Sequence, residues 1–249
     1  MSSLPTFAIF DLDGTLIDSQ VGILESFRAT LADFGSVASD DELKGLIGPP
    51  LNESFASLGF SGDLLDEVVD RYRDYYAESG VHGCHLYDGV LEMLTGLSSR
   101  GVRLGVATAK RVDFSNQILD ELGIASLFET VSGANIDGTL SAKKEIVAEV
   151  LAFFQPDDQS DVWMVGDREM DVTASLFHGL IPIGVLWGYG SREELLSSGA
   201  EYLVDHPREL LDFARDYEGG DPVCWAHLLC EGCGTVLGGT SEHHCKMGE

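Results

Sequence analysis

Two pairs of carboxylates, a hydroxyl and a lysine carry the chemical promise of this chain. Phe7-Ala8-Ile9-Phe10 is a short apolar run that ends on Asp11 and Asp13. Alternate side chains of an extended chain share a face, so the two acids point the same way. Gly14 follows, where the backbone can turn sharply without a Cβ clash. A buried strand delivering two acids to its carboxyl end suits a site in an open α/β sheet. Taken alone, the pair fits a solvated acidic turn equally well. Asp167 and Asp171 stand four apart at the expected start of a helix, which places them on one face. Carboxylate oxygens are the ligands Mg²⁺ prefers. The plainer role for Asp167 is a helix cap. Thr108 ends an apolar run and offers a hydroxyl donor. Lys143 and Lys144 offer a cation, which several neighbouring acids would need in order to coexist.

Asp11-Leu12-Asp13-Gly14-Thr15-Leu16-Ile17-Asp18-Ser19 resembles the first motif of the haloacid dehalogenase-like superfamily in its phosphatase form. Three more segments match that family in order: Val106 to Lys110, Ser141 to Val147, and Met164 to Asp171. Residues from about 5 to 215 follow the family pattern, and the last thirty or so do not. The resemblance implies that Asp11 is a nucleophile and Asp13 the general acid and base. It implies that Thr108 and the backbone N–H of Ala109 hold phosphoryl oxygens. Lys143 fits the pattern Ser-x-Lys-x-Glu better than Lys144, and the choice between them stays open here. A Mg²⁺ ion would be held by Asp11, the backbone carbonyl of Asp13, Asp167 and Asp171. Gly184 to Leu195, and Ile47-Gly48-Pro49-Pro50-Leu51, are similar to segments of the phosphoglycolate phosphatase and 5'-nucleotidase branch.

The elements that must position these residues follow from periodicity. Residues 6–10 read as a buried strand. From Asp18 to about Tyr87 the period is helical, without a strand signal. Ile23, Leu24, Phe27 and Leu31 repeat at three-to-four spacing, and Ser39 to Glu42 forms a capping box. Gly48-Pro49-Pro50 breaks the chain. From Leu86 strands alternate with helices, with strands expected at 102–107, 128–132, 162–165, 181–187 and 202–204. That alternation predicts an α/β fold with a Rossmann-like, doubly wound parallel sheet. We expect an α/β core of residues 1–18 and 86–216, an inserted all-helical cap at 19–85, and a linker with a Cys/His-rich tail at 217–249. The cap cations Arg28, Lys44, Arg71 and Arg73 are candidates for an anionic leaving group, although long basic side chains on helices are usually solvated.

Composition narrows the classes. The 249-residue chain is 44% hydrophobic, ordinary for a globular protein with a proper core. Its 42 acids against 15 Lys and Arg give a net charge of −27. That field repels nucleic-acid phosphate, so no nucleic-acid partner is expected. No apolar run approaches the roughly 20 residues of a membrane span, and no secretory signal is visible, so no membrane partner and a cytoplasmic location are expected. Four of five cysteines crowd the C-terminus. Cys224, Cys230, Cys233, His243, His244 and Cys245 are candidate ligands of a structural Zn²⁺ ion. The expectation is therefore a Mg²⁺-dependent phosphatase of small phosphorylated metabolites, similar to phosphoglycolate phosphatase, working through an aspartyl-phosphate. A 5'-nucleotidase or phosphosugar mutase of the same superfamily is the near alternative. A non-catalytic binding protein acting through its zinc-type tail is the alternative of another class.

Overall fold

The computed structural model describes residues 5–135, 140–200 and 202–216. The linker, the tail and all six candidate zinc ligands lie outside the described residues.

Six parallel strands form the main sheet: β1 (Phe7–Phe10), β4 (Arg103–Arg111), β5 (Thr130–Ala134), β6 (Val162–Gly166), β7 (Ile181–Val185) and β8 (Tyr202–Val204). Their spatial order is β5-β4-β1-β6-β7-β8, so β1 lies between β4 and β6. The chain winds outward from β1 in one direction through β4 and β5. It then crosses back to β6 and winds the other way. This reversal leaves a crevice at the carboxyl ends of the central strands, where α/β sheets place their ligands. The fold is the expected Rossmann-like α/β sheet.

Residues of β1 are buried on both faces, which is why the strand is apolar throughout rather than alternating. Ala8 and Phe10 join a large core cluster that runs into the helical insertion. Phe7 and Ile9 pack on the opposite face against Ile146, Val147 and Val150 of α7 (Lys143–Phe154). The remaining helices that flank the sheet are α5 (Val90–Ser99), α6 (Val112–Glu121), α8 (Glu169–Phe177), α9 (Arg192–Ser197) and α10 (Glu209–Asp216).

Four helices lie between the first strand and the rest of the sheet: α1 (Gln20–Asp33), α2 (Asp40–Lys44), α3 (Leu51–Ser57) and α4 (Asp63–Glu78). They close on an aromatic centre, with the Phe27 ring 5.1 Å from Phe55 and 4.7 Å from Tyr72. The Ser39 capping box starts α2 as expected. Two short antiparallel strands, β2 (Ile17–Asp18) and β3 (His85–Leu86), pair at the two crossings into this insertion. The helical reading of 18–87 missed β3, because two residues carry no period.

Two further expectations are corrected. The strand expected to stop at Thr108 runs on to Arg111, with a register shift between Thr108 and Arg111 against β5. Asp167 does not share a helical face with Asp171. It lies in the turn after β6, two residues before α8 begins, while Asp171 is in the first turn of that helix. Among the described residues no helix is long and apolar enough to cross a membrane.

Candidate active site

The carboxyl ends of β1, β4 and β6 bring the singled-out residues together. Asp11 leaves β1 with its amide donating to Val165 O at 2.9 Å, so the strand pairing itself aims the first acid. The chain then turns back, with Gly14 N donating to Ile17 O at 2.9 Å. Gly14 has φ +81°, and a Cβ there would fall 2.3 Å from an Asp167 oxygen. Both facts require glycine at this turn. Asp13 lies inside the bend, two residues from Asp11.

Asp11, Asp167 and Asp171 form a buried group whose carboxylate oxygens lie within 4.8 Å of one another. Asp167 is held from two sides: Thr15 Oγ1 donates at 3.1 Å and the Tyr189 amide at 2.8 Å. Asp171 accepts from the Arg168 amide at 3.0 Å, closing the first turn of α8. Lys143 opens α7 and reaches across to this group. Its Nζ is 2.7 Å from Asp11 Oδ1 and 2.8 Å from Asp171 Oδ1, and it donates to Ala107 O at 3.0 Å. Lys144 is exposed, with its Nζ 5.7 Å from the Phe177 ring centre. Position 143, not 144, therefore meets the acids. The helix begins at Lys143, so a one-residue step turns the next side chain away.

The electrostatics explain what this cluster lacks. Three buried carboxylates face one ammonium, a shortfall of two positive charges. Burial, with Asp171 and Asp11 close by, pushes Asp167 from 3.8 to about 8. Burial also raises Asp11 to about 6, against the lowering pull of Lys143. Burial alone would lower Lys143, but Asp11 and Asp171 more than offset it and hold the ammonium charged. Asp11 Oδ1 and Asp171 Oδ1 are buried and share the single Lys143 ammonium. Three converging carboxylates in a site short of two positive charges fit a divalent cation bound through hard oxygen ligands.

Asp13 has a different environment. Lys110 Nζ lies 3.0 Å from its Oδ2, and the Ser19 hydroxyl donates to its Oδ1. Lys110 also donates to Tyr76 OH of α4 at 2.8 Å. Burial works against the Lys110 charge, but the Asp13 carboxylate beside it holds its pKa above the usual lysine value. Thr108 is buried within β4 and lines the cavity, its oxygen accepting from the Lys110 amide at 3.2 Å.

A cavity of about 310 Å³ opens over these groups. Asp11, Asp13, Thr108, Ala109 and Lys110 line it from the sheet side, and Ile47 to Pro50, Arg73 and Tyr76 from the helical insertion. The Gly-Pro-Pro loop thus faces the site rather than only ending a helix. Sequence reasoning missed Lys110, Tyr76, Ser19 and Tyr189. Lys110 had a signal, since it follows Thr108 by two residues in the same strand. The others are brought in by the docking of distant segments, which no spacing announces.

Comparisons with known proteins agree with this geometry. The family model described as "Haloacid dehalogenase-like hydrolase" matches residues 8–185. "Tyrosine-protein kinase PtkA" of Mycobacterium tuberculosis is 37% identical over 203 residues, 81% of this chain and 69% of that protein. "Phosphoglycolate phosphatase" of Rhodospirillum rubrum is 31% identical over 242 residues, 92% of this chain and 99% of that protein. The crystal structure of a predicted phosphatase from Clostridium acetobutylicum superposes with a TM-score of 0.81 at 37% identity, covering 86% of this chain and all of that one.

Proposed function

The chain belongs to the haloacid dehalogenase-like hydrolase family, and from that premise we propose that it is a Mg²⁺-dependent phosphatase of small phosphomonoesters that works through an aspartyl-phosphate. The observation that carries the reading is the division of labour between two acids two residues apart. Asp11 belongs to the buried, charge-deficient cluster, while Asp13 faces the cavity with Lys110 and Ser19 as partners. One acid is placed to attack and the other to move a proton.

Asp11, Asp167, Asp171 and the carbonyl of Asp13 would hold the Mg²⁺ ion. The ion would supply charge neutralisation for the phosphoryl group and for the acids themselves. The protein groups do the rest. Lys143 balances Asp11 and Asp171 and keeps the nucleophile ionised. The Thr108 hydroxyl and the Ala109 amide bind phosphoryl oxygens. An Asp11 oxygen attacks phosphorus in line, and the bond from phosphorus to the leaving oxygen breaks. Asp13 gives its proton to that oxygen, and the alcohol departs. Asp13 then takes a proton from water as the water attacks phosphorus. The bond to Asp11 breaks and inorganic phosphate leaves. The helices of 19–85 act as a cap that excludes bulk water and reads the leaving group. A 5'-nucleotidase or phosphosugar mutase would use the same core with another leaving group or acceptor.

Release of phosphate from p-nitrophenyl phosphate, with Mg²⁺ and with chelator, tests the reading. Turnover that appears with Mg²⁺, stops with chelator and returns on adding Mg²⁺ is expected. A protein that binds phosphate esters without hydrolysing them under any metal condition would refute it.

A further inference from the structure

We propose that the leaving group carries its own negative charge, a carboxylate or second phosphate on a short alcohol, and that Arg73 binds it. The inference rests on reading the cavity as a phosphatase site.

Four cationic side chains of the helical insertion were candidates, and the fold separates them. Arg28 pairs with Asp40 and Arg71 with Asp33, each at 2.6 Å on the surface. Lys44 is exposed. Arg73 alone of the four lines the cavity. It neighbours Tyr72 on α4, whose buried face includes Tyr72 and Tyr76 one turn apart. That places Arg73 at the border between the packed face and the open space.

Its bonding is incomplete. Arg73 Nη1 meets Asp70 at 2.9 Å, but the Asp70 side chain is 74% exposed, so water weakens that pair. Arg73 Nε is buried and has no hydrogen-bond partner among the described residues. The side chain as a whole keeps 27% exposure and lines the cavity, so it brings a cation there whose one ionic partner is held weakly. A carboxylate or phosphate matches the fork of a guanidinium.

The other cations of the cavity are already engaged. Lys110 is held by Asp13. Arg111, at the end of β4, spends Nε and Nη2 on Asp113 at 3.0 and 2.6 Å. It adds positive field to the cavity, and Arg73 adds a cation whose one ionic partner, Asp70, is exposed. Glu53 also lines the space but is solvent exposed, where its charge is screened. A chain of net charge −27 repels anions at long range, so an anionic substrate needs cations built in locally. A neutral alcohol or nucleoside would bring no counter-charge to the Arg73 cation that lines the cavity.

Two esters of equal length decide the matter: 2-phosphoglycolate and 2-hydroxyethyl phosphate, which replaces the carboxylate by a neutral hydroxymethyl group. The wild-type protein is expected to favour 2-phosphoglycolate in kcat/KM by at least about tenfold, the scale of one charge-assisted hydrogen bond. In Arg73→Met the ratio should fall toward one, and Arg73→Lys should recover part of it. Equal kcat/KM values in the wild type, or an unchanged ratio in Arg73→Met, overturn this inference and leave the phosphatase standing. If neither ester is hydrolysed, the phosphatase reading fails and calorimetric binding of the same two esters to Asp11→Asn protein still decides. Tighter binding of 2-phosphoglycolate that depends on Arg73 supports the charged subsite, and equal binding refutes it.

Discussion

Lys110 Nζ lies 3.0 Å from Asp13 Oδ2, and the same ammonium donates to Tyr76 OH from the helical insertion. One lysine therefore ties the proposed acid and base to the segment that covers it. The pair is largely removed from water, with side-chain exposures of 7% and 15%, so it is not an ordinary surface contact. Lys110→Met should lower kcat by about tenfold or more, the scale of a charge-assisted hydrogen bond to a reacting group. Tyr76→Phe should cost less, because Asp13 keeps its cation. Steady-state kinetics on both variants, with circular dichroism as the control for folding, checks the order.

The buried acids give the metal-free protein a pH dependence of definite sign. Asp167 moves from 3.8 to about 8 on folding. Between those values the folded chain holds more protons than the unfolded one, so this group makes stability fall as pH rises from about 4 to about 8. Binding of Mg²⁺ needs the carboxylate ionised, so it should tighten over the same window and release protons. Thermal unfolding in chelator should show the decline, and Mg²⁺ should flatten it. Unfolding curves that ignore both pH and Mg²⁺ across this range would speak against the cluster as a metal site.

Arg168 connects the two halves of the cavity by a second route. Its Nη1 donates to Ile47 O in the Gly-Pro-Pro loop, while Nε donates to Glu194 Oε1 at 2.8 Å. Gly48 has φ +109°, and a Cβ there would come 2.7 Å from Arg168 Nη1. Gly48→Ala should therefore strain the backbone by about 1–3 kcal/mol and displace the loop. We expect KM to rise in Gly48→Ala and in Arg168→Met. The double variant should cost less than the sum, because both act on one contact. Strict additivity would show that the loop is placed by something else.

Much of the core could be read in the chain before folding. Asp11 and Asp13 follow an unbroken apolar run, the pattern of a strand buried on both faces. Asp167 and Asp171 stand out as the last of four motifs in family order, and their spacing alone predicts one helical face. The turn after β6 brings the two acids together by another path, with Asp167 outside the helix. Local patterns also show that Arg73 is cationic on an amphipathic helix. They cannot show that it lines a cavity, since that depends on how the helical insertion docks over the sheet. Lys110 stands two residues after Thr108, but that spacing signals a shared face only if the strand continues. The apolar run ends at Ala107, so the continuation of β4 to Arg111 had no hydrophobic signal.

The covalent step is the centre of the account, and trapping it is the most direct measurement. Protein quenched in acid during turnover of a phosphomonoester, then reduced with borohydride, should carry homoserine in place of Asp11 in its peptide mass spectrum. Asp11→Asn protein should neither turn over nor be labelled. Steady hydrolysis with Asp11 unmodified, or full activity in Asp11→Asn, would contradict the nucleophile assigned to this site.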